Sequence, residues 1–284
     1  MKRPWMRYLL PQAVTFTGIF FGLLSITWAP RHPYASGVAI LVASACDLMD
    51  GRVARWTKSE SAFGLQMDSL ADIINCGVAP AFLVHCWSLH GRMLGRFDLY
   101  LLVAFFFVAC AAGRLARFNV DAEKNVLQDS VSPNKNSTTS KTSKPHFTSI
   151  EFSGIPTPVG AMLLCTVVMA HHETGFSFLK RFEFMGPYVF LIALLMISTI
   201  PFRSFKQFRT RFGQFLFFGS IIGGFTTLAL GGPGGSVLLC LLLTYVLDGL
   251  VIAYSFRYMK FLNRYTTTEL DSHPLGGCPT NDID

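Results

Sequence analysis

Charged side chains are scarce in this sequence. Only 14% of its 284 residues are Asp, Glu, Lys or Arg, whereas 51% are hydrophobic. Soluble domains carry about 25% charged residues. The surface of a water-soluble domain needs more charged residues than this chain supplies. Disordered and coiled-coil chains need still more, so all three classes of protein are excluded. The composition indicates a protein built for lipid.

The cysteines and the charge balance narrow the possible partners. The seven cysteines include no Cys-x-x-Cys pair and no spacing typical of a metal site, which indicates small core residues rather than ligands. Lys and Arg number 24 against 17 Asp and Glu, a net charge of +7. We expect this excess to meet anionic lipid headgroups and a phosphorylated substrate, and we expect no nucleic-acid partner.

Long apolar runs predict an all-α, polytopic integral membrane bundle of about eight transmembrane helices. The runs are 12–29, 34–50, 66–89, 98–118, 156–172, 187–201, 214–231 and 236–256. Of the Lys and Arg residues, 19 fall on one side of such a bundle and 5 on the other. Because basic loops stay cytoplasmic, both termini are expected there.

This pattern also predicts how the chain is divided. Residues 1–256 form the transmembrane domain, and 257–284 form a cytoplasmic tail. A polar segment rich in Ser, Thr, Asn and Lys lies between the fourth and fifth spans and predicts a flexible cytoplasmic loop at about 121–152.

Four aspartates stand in two pairs at the facing ends of the second and third spans. Asp47 and Asp50 are three residues apart, and Asp68 and Asp72 are four apart, so each pair lies on one helix face. Carboxylates in hydrocarbon cost about 2.5–3.5 kcal/mol each at a helix centre. Four together would also repel one another, so a cation explains them better than a set of structural helix caps. Oxygen ligands without His or Cys favour Mg²⁺ or Mn²⁺ over Zn²⁺.

Two glycines and an arginine complete the pattern. Gly51 and Gly64 stand where a backbone must turn sharply or approach a ligand closely. Arg55 follows Gly51 by one helical turn, within reach of a phosphate. The whole reads Asp-x2-Asp-Gly-x2-Ala-Arg-x8-Gly-x3-Asp-x3-Asp.

This arrangement resembles the signature of the CDP-alcohol phosphatidyltransferase family of integral membrane enzymes. Further segments are similar to its phosphatidylserine synthase branch: Gly77-Val78-Ala79-Pro80-Ala81, Arg114-Leu115-Ala116-Arg117-Phe118-Asn119, Gly154-Ile155-Pro156-Thr157-Pro158 and Ser198-Thr199-Ile200-Pro201-Phe202-Arg203. There are also departures. Gln12 and Gly18 stand where the family's first helix usually carries Asn, and Cys76 stands where the synthases usually carry Phe.

The resemblance implies a six-helix core, a homodimer and a metal-assisted transfer. Two divalent ions, Mg²⁺ or Mn²⁺, would be held by the four aspartates, with Asp72 also the general base. Gly51, Arg55 and Gly64 would contact the CDP-diacylglycerol donor. The reaction implied is transfer of its phosphatidyl group to the hydroxyl of L-serine, giving phosphatidylserine and CMP at the cytoplasmic face of the membrane.

Two alternatives stay open for the function. The acceptor could instead be glycerol 3-phosphate, choline or inositol phosphate, because the signature residues recognise the donor and the metals rather than the acceptor alcohol. A more distant alternative is a membrane transporter or a non-catalytic scaffold. Transporters place broken helices at mid-membrane, whereas this acidic cluster sits at one edge.

Polar residues outside the signature have two interpretations each. Asp248 in the last span is expected to make a buried structural hydrogen bond rather than act in catalysis. Four others either bind the acceptor carboxylate or the donor phosphate, or anchor helix ends. They are Arg114, Arg117, Asn119 and Lys206.

Overall fold

The fold is known from a computed structural model of the chain. The structure describes residues 5–57, 62–88, 93–94, 97–131, 154–198, 227, 232–247, 249–250 and 254. These residues are almost wholly helical, as the sequence predicts. The described residues also include two short antiparallel strands, in which Met93–Leu94 pairs with Phe97–Asp98.

Eight α-helices are described. A π-helical stretch, Ile73–Val78, joins α3 to α4, and a short 3-10 turn, Ser177–Lys180, precedes α7. The helices are α1 Trp5–Trp28, α2 Pro33–Thr57, α3 Ala62–Asp72, α4 Ala79–Ser88, α5 Leu99–Val131, α6 Thr157–Thr174, α7 Phe182–Ile197 and α8 Gly234–Leu247.

The membrane character of the bundle follows from the apolar helices. Three described stretches are long and apolar enough to cross a membrane: Leu10–Trp28, Phe63–Ser88 and Leu101–Asp121. Shorter apolar helices cover Glu183–Ile197 and Gly234–Leu247. A helical membrane bundle is therefore confirmed. The count of eight spans stays a prediction, because all of the predicted seventh span except Thr227 lies outside the described residues.

Helix α5 runs further than the sequence pattern predicts. It has 33 residues and continues to Val131, a length of about 50 Å against about 30 Å of hydrocarbon. The first residues of the expected 121–152 loop are thus helical, in keeping with the helix-forming Ala, Glu, Lys, Leu and Gln there. The rest of that loop, the 257–284 tail, Lys206 and Asp248 lie outside the described residues.

Small residues let the first two helices approach closely. The hydroxyl groups of Ser25 in α1 and Ser36 in α2 lie 2.8 Å apart, and both residues are fully buried. Next to them, Gly37 faces Met169 of α6. Polar and small side chains hold membrane helices together in this way. This packing fixes α2, and with it the first aspartate pair, against α1 and α6.

Candidate active site

The two aspartate pairs meet between the C-terminal half of α2 and the helix α3. Asp47, Asp50 and Asp68 each offer a carboxylate oxygen, and these three oxygens lie within 4.8 Å of one another. Asp50 is the most enclosed of the three, with 4% of its surface exposed. Helical spacing had placed each pair on one face, and the packing of α2 against α3 brings the pairs together.

Asp72 stands beside this trio rather than within it. The Asp47 carboxyl group lies within hydrogen-bonding reach of the carboxyl groups of both Asp68 and Asp72. Asp72 also contacts the Cys76 thiol, which in turn lies 3.9 Å from the Ser44 hydroxyl oxygen. Asp72 Oδ1 is buried and has no hydrogen-bond partner. One oxygen of Asp72 therefore remains available to a bound group.

The charge density of the cluster favours a cation. Two ionised carboxylates at the 4.8 Å upper limit of these separations repel each other by about 3.5 kcal/mol at an effective dielectric constant of about 20. Arg114 is near enough to interact electrostatically with Asp72, but a single positive charge does not balance four carboxylates. A donor set made only of carboxylate oxygens, with one buried oxygen unused, fits Mg²⁺ or Mn²⁺.

Thr15 of α1 belongs to this site, although it is not among the site residues predicted from the sequence. Its hydroxyl Oγ1 donates to Asp50 Oδ2 at 2.6 Å, and Thr15 is itself 9% exposed. A bond this short between a hydroxyl and a carboxylate is of the strong, charge-assisted kind. The two residues are 35 positions apart, so local spacing gives no sign of the contact. The resemblance offers a signal for it, because the family's first helix usually carries a Thr at the position of Thr15, between the positions of Gln12 and Gly18.

The residues predicted to meet the donor lie on the open side of the cluster. Gly51 is exposed, and a Cβ added there would find nothing within 4 Å. Arg55 is also exposed and makes no hydrogen bond or ion pair with the residues that the structure describes. Gly64 is partly exposed at the start of α3. This side of the cluster leaves room for a ligand.

Two predicted acceptor residues, Arg114 and Arg117, reach the C-terminal end of α7. Their Nη1 atoms donate to the carbonyl oxygens of Met196 at 3.3 Å and Ile197 at 3.4 Å. Cationic groups at a helix C-terminus satisfy its last carbonyls and favour its dipole. This is the helix-anchoring arrangement that the sequence left open. A ligand contact for either arginine stays a prediction.

The Gly154-Ile155 segment reaches the same helix end. The Ile155 N–H donates to Leu195 O at 3.1 Å. Gly154 has φ +84°, and a Cβ there would lie 2.4 Å from Met196 O. Only glycine fits such a conformation at such a distance. Two of the segments that resemble the family, 114–119 and 154–158, therefore hold the C-terminal end of α7 against the rest of the bundle.

Asn119 contacts the signature helix itself. Its Nδ2 donates to Ser69 Oγ at 3.0 Å, and the Ser69 hydroxyl lies 3.3 Å from Asn119 Oδ1. Ser69 follows Asp68 directly in the signature. Asn119 therefore ties α5 to α3 next to the acidic cluster.

Comparison with known proteins agrees with this geometry. Residues 8–205 match the family model for CDP-alcohol phosphatidyltransferase. The chain belongs to the CDP-alcohol phosphatidyltransferase family. It is also similar to proteins named CDP-diacylglycerol–serine O-phosphatidyltransferase. The Helicobacter pylori (strain ATCC 700392 / 26695) protein is 32% identical over 210 residues, which are 74% of this chain and 78% of the relative.

Two other organisms carry similar proteins of that name. The Mycobacterium leprae protein is 32% identical over 194 residues, 68% of this chain and 57% of the relative. The Methanocaldococcus jannaschii protein is 30% identical over 197 residues, 68% of this chain and 73% of the relative. This member of the phosphatidyltransferase family is thus a membrane enzyme, and its helix α8 lies beyond the matched segment.

Proposed function

We propose that the protein transfers the phosphatidyl group of CDP-diacylglycerol to the hydroxyl of L-serine, releasing CMP. The observation that carries the proposal is the convergence of the Asp47, Asp50 and Asp68 oxygens within 4.8 Å, with Asp72 beside them. The family membership supports the donor. The choice of serine is supported by the names of relatives that match about three quarters or two thirds of this chain.

Asp47, Asp50 and Asp68 are assigned to holding two divalent ions, Mg²⁺ or Mn²⁺, and Asp72 borders the same site. When bound, such ions neutralise the donor diphosphate and stabilise the negative charge on departing CMP. The part of the protein is to fix the carboxylates before the substrates arrive. Thr15 does this for Asp50 through the 2.6 Å hydrogen bond.

Asp72 is assigned as the general base. The serine hydroxyl is almost wholly protonated at neutral pH, so its attack on phosphorus needs a group that accepts the proton. The buried, unpartnered Oδ1 of Asp72 is free for that proton. As the serine oxygen bonds to the lipid-bearing phosphorus, the bond to the CMP oxygen breaks, and CMP leaves with the electron pair.

Gly51, Gly64 and Arg55 are assigned to the donor. The open space at Gly51 leaves room for the diphosphate, and the exposed guanidinium of Arg55 suits a phosphate oxygen. Arg114, Arg117, Asn119 and Lys206 remain candidates for the acceptor or a phosphate. With basic loops cytoplasmic, the site faces the cytoplasm, and we expect a homodimer.

The acceptor is tested by an acceptor panel on the purified protein. CDP-diacylglycerol is supplied with L-serine, glycerol 3-phosphate, choline or inositol phosphate, and both CMP and the lipid product are measured. We expect CMP release only with serine. Asp121→Asn removes an exposed acid outside the signature and serves as the matched active control for the aspartate variants.

The panel separates two kinds of failure. Reaction with another alcohol and not with serine would make the acceptor assignment wrong and leave the transferase chemistry intact. No CMP release with any acceptor, in the presence of Mg²⁺ or Mn²⁺, would contradict the proposed function as a whole.

A further inference from the structure

A buried amide lies one helical turn beyond the catalytic aspartates. Asn75, in the π-helical stretch, is only 1% exposed, and its Oδ1 is buried without a hydrogen-bond partner. A buried, unsatisfied polar group costs about 1–3 kcal/mol. π-Helical turns inside α-helices occur frequently at functional sites. Such a group calls for a physical reason.

The Asn75 amide presses against two glycines of α1. A Cβ added at Gly22 would lie 2.1 Å from Asn75 Oδ1 and 3.2 Å from its Cγ. A Cβ added at Gly18 would lie 3.3 Å from Asn75 Nδ2 and 3.5 Å from Cys46 Cβ. Glycines four residues apart often mark a helix dimerisation face. Here the face is occupied within the chain, and Gly18, Gly22 and Asn75 together are called the amide notch.

The amide notch sets how closely α1 can approach the signature helices. Thr15 stands on α1 one turn before Gly18 and reaches Asp50 at 2.6 Å. A methyl group at Gly22 would need about 1.3 Å more space to reach an ordinary contact. If α1 moved by that amount, the Thr15–Asp50 separation would grow to about 3.9 Å, which is too long for a hydrogen bond.

We propose that the amide notch is a positioning device, in which Gly22 and Asn75 hold α1 at the distance that lets Thr15 bind Asp50. The inference rests on the proposed function only in taking Asp50 as a metal ligand. Asn75 does not touch the substrates in this scheme. It acts through Thr15, and the size match between Gly22 and Asn75 is what matters.

The test is a double-mutant cycle of Gly22→Ala with Asn75→Ala, read by Mn²⁺ binding. Purified protein in detergent, without substrates, is titrated with Mn²⁺ and followed by electron paramagnetic resonance. We expect Gly22→Ala to weaken Mn²⁺ binding about tenfold, as loss of an outer-shell partner does. Asn75→Ala alone should weaken Mn²⁺ binding by a smaller factor than Gly22→Ala, because it removes the side chain that sets the distance of α1 without introducing a clash. The double variant should return to within about twofold of wild type, because the clash is gone.

A second readout does not depend on metal. Thr15→Val should lower the unfolding temperature more in the wild-type background, where it removes the bond to Asp50, than in the Gly22→Ala background, where only the 3.1 Å contact of the Thr15 hydroxyl with Pro11 O remains. Gly77→Ala is the matched control, because a Cβ there meets only Ala111 Cβ at 3.7 Å. Should Gly22→Ala not fold, Gly18→Ala, with its milder 3.3 Å contact, replaces it in both measurements with smaller expected losses.

Three results have distinct meanings. Wild-type Mn²⁺ affinity in Gly22→Ala, or a double variant no better than Gly22→Ala, overturns the inference. An equal effect of Thr15→Val in both backgrounds also overturns it. A wild-type protein that binds no Mn²⁺ overturns the proposed metal site instead, and the unfolding measurements still decide whether the amide notch positions Thr15.

Discussion

The Thr15→Val substitution gives the sharpest test of the site geometry. It removes one hydroxyl and nearly preserves the shape of the side chain. Asp50 then loses the donor that lies 2.6 Å from its Oδ2, in a place where both residues are buried. A hydrogen bond to a charged group contributes about 1.5–3 kcal/mol. Since about 1.4 kcal/mol corresponds to a factor of ten, divalent-ion affinity should fall about 10- to 150-fold.

The assay measures Mn²⁺ binding by electron paramagnetic resonance and the Mn²⁺ dependence of CMP release. Thr15→Ser keeps the hydroxyl and should keep most of the affinity. Thr17→Val is the matched control on the same helix, because the exposed Thr17 hydroxyl donates only to Ala13 O, at 2.8 Å. The half-saturating Mn²⁺ concentration should therefore rise for Thr15→Val alone.

The reasoning has a clear point of failure. If Thr15→Val and Thr17→Val bind Mn²⁺ equally well, the Thr15 hydroxyl does not orient Asp50 for a metal, and the contact is only one of packing. A loss in Thr15→Ser as large as that in Thr15→Val would point to the methyl group rather than the hydrogen bond.

Two further predictions concern the base and the far end of the bundle. Asp72→Asn should lower the rate of CMP release by about 10²–10⁴, as loss of a general base does, while Mn²⁺ binding persists; a wild-type rate would remove Asp72 from that role. Glu173 accepts hydrogen bonds at 2.7–2.8 Å from the Ser236 hydroxyl and the Gly235 and Ser236 N–H groups at the start of α8. Glu173→Gln should lower the free energy of unfolding by about 1.5–3 kcal/mol, measured by thermal denaturation. CMP release at low temperature should persist, because Glu173 is far from the aspartates: Tyr34 of α2, which donates to Glu173, is about 20 Å along that helix from Asp47. An unfolding temperature equal to that of wild type in Glu173→Gln would contradict the role of Glu173 as a cap of α8.

Local periodicity was enough to predict which aspartates share a helix face. Asp47 with Asp50, and Asp68 with Asp72, fall on single helix faces because three and four residues make about one helical turn. The cost of carboxylates near hydrocarbon then pointed to a cation. The long apolar runs predicted the described helices, apart from the extension of α5 to Val131, which lies beyond the apolar run and is set by helix propensity rather than by lipid. The span at 214–231 stays a prediction.

The roles of the arginines could not be predicted in this way. Arg114 and Arg117 carry the charge that a phosphate or a serine carboxylate would need, and no local pattern distinguishes these ligands from a helix end. Their contacts with Met196 and Ile197 span about 80 residues. Such contacts depend on how α5 packs against α7, which no local pattern encodes.

By itself, the sequence determined the chemistry available to this protein: a lipid environment, four carboxylates in register on their helices, and a signature that identifies a phosphatidyltransferase. Only the tertiary structure decided which groups complete the site, because distances between helices follow from side-chain packing. Thr15 at Asp50, Asn119 at Ser69 and Asn75 against Gly22 each join helices that are far apart along the chain. The separation of those helices is set to within about 1 Å by the volume of single side chains.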